Sequence, residues 1–79
     1  MDTKAMETGA IAKARALRDL PAPQLRRAIR VNAGLSEEDV GGELGVHRAT
    51  VCRWELGQRS PRGHLLVAYL DLLRKLQSL

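Results

Sequence analysis

Cysteine is almost missing from this 79-residue chain: Cys52 stands alone, so no internal disulfide can close, and no Cys/His set has zinc-finger spacing. No apolar run is long enough to span a bilayer. A secretory leader is not expected either, because Lys13, Arg15 and Arg18 interrupt any apolar stretch near the start and residues 1–9 are mostly polar. The chain also lacks a phosphate-binding loop, a nucleophile that can be paired with a base, internal repeats and low-complexity segments. These absences argue against an enzyme and against any metal or other cofactor, and they favour a reducing, cytoplasmic setting.

What is present is charge, and it is segregated. Thirteen Lys plus Arg oppose nine Asp plus Glu, leaving a net charge of +4. With a pI near 10.0, the chain is biased toward polyanionic partners. Residues 36–45 hold Glu37, Glu38, Asp39 and Glu43, whereas residues 47–63 hold Arg48, Arg53, Arg59 and Arg62 against Glu55 alone. A chain this short supports one compact domain of modest stability.

Helix signals run through most of it. Residues 3–19 are rich in Ala, Lys, Arg and Leu, good helix formers, and the Pro21 and Pro23 break ends that helix and starts another. The second helix, residues 23–33, places Leu25, Ala28 and Ile29 on one side and Arg26, Arg27 and Arg30 around the rest, with Gly34 as its left-handed stop. Ser36 suits an N-cap, and Glu37, Glu38 and Asp39 sit in the positive first turn that follows. This third helix is weakened by Gly41 and Gly42, so packing through Val40 and Leu44 must hold it. Gly45 supplies a tight turn, Val46 points inward, and His47 or its neighbour opens a fourth helix that Gly57 stops. After a loop over residues 57–63, the last helix carries apolar positions at 65, 69, 72, 76 and 79 and again at 66, 70 and 73. So wide a stripe exceeds what a small core needs. The surplus at Leu72, Leu76 and Leu79 is expected to pack on the N-terminal helix or on another subunit.

Residues 36–57 form the most specific stretch: two short helices hinged at Gly45, with apolar positions at Val40, Leu44, Val46, Val51 and Trp54. Gly41 stands where steeply crossing helices bring their backbones together. The exposed face of the second helix carries His47, Arg48, Ala49, Thr50 and Arg53. Arg48 and Arg53 suit bidentate bonds to guanine O6 and N7, and Ala49 and the Thr50 methyl suit a thymine methyl. For His47, capping the helix is an equal alternative.

Leu35, Ser36, Val40, Gly45, Val46, Thr50, Val51, Arg53, Trp54, Glu55, Gly57, Ser60 and Pro61 together resemble the helix-turn-helix domain of the Cro and phage-repressor family, over about residues 24–73. The resemblance implies an all-α bundle of about five helices, near residues 4–19, 23–33, 37–44, 47–56 and 63–78, with a lambda-repressor-like DNA-binding fold. Residues 1–20 would be a helical extension and residues 21–79 the DNA-binding domain with its C-terminal helix. The recognition helix would read base edges of double-stranded operator DNA through His47, Arg48, Ala49, Thr50 and Arg53. Ser36, Glu37, Arg59 and Arg62 would lie on the DNA backbone. Similar domains commonly have glutamine where Glu37 stands, so either Arg48 neutralises this carboxylate or docking is tilted. The family pattern also pairs Arg30 with Glu55, an ion pair expected to fix helix orientation. Such proteins usually bind as two-fold pairs, and the C-terminal helix offers a homodimer surface unless it covers the N-terminal helix and leaves a monomer. The setting implied is a bacterial or phage-infected cell and its nucleoid. The alternative is an antitoxin or adaptor module that grips a protein partner with the leucine-rich last helix. Cys52 is read as an inert thiol, although the adjacent Arg53 would lower its pKa, and His64 as a surface residue.

Overall fold

A computed structural model of the protein describes residues 8–79. Five helices and no strand occur among the described residues: α1 (Gly9–Asp19), α2 (Pro23–Asn32), α3 (Glu37–Leu44), α4 (Arg48–Glu55) and α5 (His64–Gln77). Expected and observed ends of α2 to α5 agree within about one residue, the usual fraying of helix limits. The first helix was expected from residue 4. It begins at Gly9 behind Thr8, whose hydroxyl accepts the Ile11 amide at 3.3 Å, and residues 4–7 lie outside the described residues.

The start of α3 follows from local chemistry. Ser36 Oγ accepts the Asp39 amide at 3.0 Å while the Ser36 amide donates to Asp39 Oδ2 at 2.9 Å, a reciprocal capping box. These bonds hold the Asp39 carboxyl below its ordinary pKa, the Ser36 amide contributing most.

The main core is built by Ile29 of α2, Val40 of α3, Val51 and Trp54 of α4, and Tyr69 and Leu73 of α5. Leu44 and Val46, expected in the core with Val40, Val51 and Trp54, are half-buried and packed on its edge. Each fully buried aliphatic side chain here contributes about 1.5–3 kcal/mol, which is how a helix as short as α3 is kept in place.

The α1 helix lies along α5 through a smaller cluster, Ala16 against Leu66 and Leu70, with Leu20 joining the two clusters. Asp19 Oδ2 and Arg74 Nη2 meet at 3.1 Å across the same seam. The surplus leucines are therefore distributed differently from the expectation. The row at 66 and 70 receives α1, while Leu72 and Leu76 pack against the main core. Ala16 is the residue of α1 that is buried where that helix meets the first half of α5. Leu79 remains 90% exposed.

Candidate nucleic-acid interface

The site is α4, and its geometry begins with α3. A Cβ on Gly41 would sit 2.6 Å from the Val46 carbonyl oxygen, a backbone contact, so only glycine permits the two helices to approach this closely. The turn between them closes at Gly45, whose φ of 72° is the left-handed region that glycine enters at little cost, and the Val46 amide returns to Gly41 O at 2.9 Å. His47 then caps α4: its Nδ1 accepts the Ala49 amide at 3.0 Å.

The inner face of α4 is braced by an aromatic pair, Trp54 and Tyr69, with ring centroids 4.7 Å apart and planes tilted by 39°. Val51 and Trp54 are both buried. On the other face Arg48 and Arg53 are exposed, with Ala49 and Thr50 half-exposed between them. No ion pair engages either arginine among the described residues. The loop after α4 folds back toward this face, because the amides of Gln58 and Arg59 donate to Arg53 O at 3.0 and 3.4 Å and Pro61 is buried. A shallow groove results, with Thr50 and Arg53 on one wall and Arg59, Ser60 and Arg62 on the other. Three guanidinium groups separated in sequence thus share one surface.

The C-terminal end of α4 is held by arginines of α2. Arg30 grips Glu55 in a two-pronged pair, Nε to Oε2 at 2.6 Å and Nη2 to Oε1 at 2.9 Å, and its Nη1 donates to Leu35 O at 2.8 Å. Glu55 is buried, and the bond to it is the main reason that the Arg30 pKa is raised. Arg26 was expected among the solvated residues of α2, yet it is buried. It lies one turn before Arg30 and so shares its face; its Nε donates to Pro21 O at 2.7 Å and its Nη1 to Trp54 O at 2.9 Å. That one-turn spacing is the signal that could have found it. Burial draws its pKa down.

Cys52 has its pKa raised, in keeping with an inert thiol: burial acts first and the carboxylate of Glu37 next, and both outweigh Arg53. Glu37, at the start of α3, is half-buried and no ion pair joins it to Arg48. Its charge acts instead on Arg30, as a minor contribution behind that of Glu55, and on Cys52. Tyr69 carries a further buried polar group. Its hydroxyl has no hydrogen-bond partner among the described residues, and burial pushes its pKa up to about 12.

No His, Cys, Asp and Glu grouping suited to a metal ion occurs among the described residues, and no described helix is long and apolar enough to cross a membrane. Residues 27–76 match the family model described as helix-turn-helix. No curated protein and no solved structure matches the chain. The match spans more than half of the sequence, so the chain belongs to the helix-turn-helix DNA-binding family of Cro and repressor type, and a DNA-binding function of the transcription-regulator kind comes with that membership.

Proposed function

We propose that this helix-turn-helix chain is a sequence-specific regulator, a small Cro-like or repressor protein that acts by occupying an operator. The observation that carries the reading is the outer face of α4. Its two arginines are exposed and free of ion pairs within the domain, while Val51 and Trp54 brace the helix from behind. In this reading Arg48 and Arg53 bond guanine edges in the major groove, Ala49 and Thr50 meet thymine methyls, and each bidentate contact discriminates by about 1–3 kcal/mol. His47, already capping through Nδ1, keeps Nε2 for a base or phosphate. Arg59 and Arg62 meet phosphates from the far wall of the groove, and the Ser36 hydroxyl hydrogen and the first amides of α3 meet another. Glu37 lies beside the DNA backbone, and a tilted docking keeps its carboxylate away from the phosphates.

Residues 21–79 form the reading domain, and residues 1–20 are an extension whose helix α1 braces α5. The protein works in the cytoplasm on nucleoid or phage DNA. Because α1 covers Leu66 and Leu70 of α5 while Leu72 and Leu76 pack on the core, it reads a single site as a monomer and not as a two-fold pair through α5. The experiment is random-site selection of duplex DNA on the purified full chain, repeated with Arg48→Ala and Arg53→Ala. A defined site for the wild type that loses a base preference in each variant supports the reading. Salt-independent or absent duplex binding rejects it.

A protein-gripping module of antitoxin or adaptor type has one observation in its favour. A shallow groove of mixed polarity between α2 and the end of α5 is lined by Leu25, Ala28, Leu76 and Leu79 together with Asn32 and Gln77, and of these Leu25 is 48% and Leu79 90% exposed. Leu25→Ser and Leu79→Ser separate the readings, since they leave DNA selection intact and abolish only a protein contact.

A further inference from the structure

Arg26 is only 8% exposed, and no carboxylate among the described residues pairs with it. Burying a cation this way is costly unless strong acceptors replace water. Here the acceptors are two main-chain carbonyls, Pro21 O at 2.7 Å and Trp54 O at 2.9 Å. Trp54 is the penultimate residue of α4. Its carbonyl belongs to the negative end of the helix and lacks an intrahelical i+4 partner. The same oxygen also accepts the Gly57 amide at 3.4 Å, where the loop bearing Arg59 and Arg62 departs. A planar guanidinium can face both carbonyls at once, whereas the single ammonium of lysine lacks that fork.

The bond differs in kind from the Arg30 to Glu55 pair. A side-chain pair tolerates small slips of the helix because both partners can swing, but a bond to the backbone carbonyl of α4 fixes the helix itself. Readout of base edges depends on such placement, and a site held about 1 Å too loosely loses its function. We propose that Arg26 is a positioning residue for DNA reading: by holding the Trp54 carbonyl it sets where α4 and the following loop lie, and so determines sequence discrimination more than bare attraction to DNA. This inference rests on the DNA-reading function proposed above.

The test uses the full chain, a duplex obtained by random-site selection with the wild type, and a shuffled duplex of equal length, at a temperature where circular dichroism shows each variant folded. Arg26→Met is expected to lower the ratio of selected to shuffled affinity by about tenfold, within the range one mismatched base pair costs. Affinity for the shuffled duplex should change less than about twofold, because a buried charge releases no counterion. Arg26→Lys recovers part of the ratio, and Arg27→Met, at the exposed neighbour, leaves it intact. An unchanged ratio in folded Arg26→Met, or an equal fall in Arg27→Met, overturns the inference. If Arg26→Met fails to fold, Arg26→Lys decides in its place, and an unchanged ratio there overturns it. A wild type that selects no sequence overturns the DNA reading itself, and this inference with it.

Discussion

The helices α2 and α4 are both short and arginine-bearing, and they use the same side chain in opposite ways. In α2, Arg26 and Arg30 turn inward to the carbonyl end of α4, binding Trp54 O and Glu55. In α4, Arg48 and Arg53 stay exposed. The difference teaches that guanidinium is neither a surface nor a core group by nature. Where a helix end supplies unpaired carbonyls and a carboxylate, burial is compensated; where the neighbouring backbone is already satisfied, the cation remains in water. One set therefore stabilises the domain, and the other is left free to meet a ligand.

The contrast breaks most severely at Glu55. Glu55→Ala leaves the part-buried Arg30 with only the Leu35 carbonyl, and urea unfolding should show a loss of about 3 kcal/mol, against less than about 0.5 kcal/mol for Arg48→Ala. A loss near zero for Glu55→Ala would refute the inward role. The outward role is measured by competition binding: Arg48→Ala or Arg53→Ala should relax discrimination at one base pair by about 2 kcal/mol with stability unchanged.

A smaller effect separates the adjacent glycines of α3 along the same inside and outside division. At Gly41 a methyl would meet the Val46 carbonyl, so Gly41→Ala should destabilise by about 1–2 kcal/mol; at Gly42 it would meet open space, so Gly42→Ala should stabilise by up to about 1 kcal/mol. Thermal melts of the two variants moving in the same direction would show that the α3 to α4 approach is looser than described.

The smallest effect at neutral pH belongs to Tyr69, which faces the inward arginines. Its folded pKa of about 12 lies above the ordinary 10.0, so the stability tied to its neutral form is full below pH 10 and is lost as pH rises toward about 12. Tyr69→Phe, which removes an unpartnered hydroxyl, should be neutral or stabilising by up to about 1 kcal/mol at pH 7 and should flatten that alkaline loss. Phenolate absorbance of this single tyrosine during alkaline titration checks the sign directly. An ordinary titration midpoint would place the ring in water.

Much of this was legible in the residues. Ser36, Gly45 and Gly57 mark helix ends because caps and left-handed turns are local chemistry. Gly41 could be read as a close approach because it stands on the face of α3 that also carries Leu44 and Val40. The pairing of Arg30 with Glu55 was accessible only through the family pattern, since nothing local links residues so far apart. Arg26 was misassigned because a guanidinium beside Arg27 looks solvated until Trp54 O and Pro21 O are seen within reach. Cys52 was read as inert in spite of its sequence neighbour Arg53, and burial together with Glu37, which approaches from α3, raises its pKa accordingly.

By itself the sequence determined five helical segments, the hinge at Gly45 and the outward basic face of α4, since periodicity, capping and turn conformation act over only a few residues. Tertiary structure alone decided that Arg26 is inside, that α1 rests on Leu66 and Leu70 and not on Leu72 and Leu76, and that Arg53, Arg59 and Arg62 share one groove. Those outcomes depend on which carbonyls, small side chains and carboxylates distant segments bring within a few ångströms, and no local pattern encodes that distance.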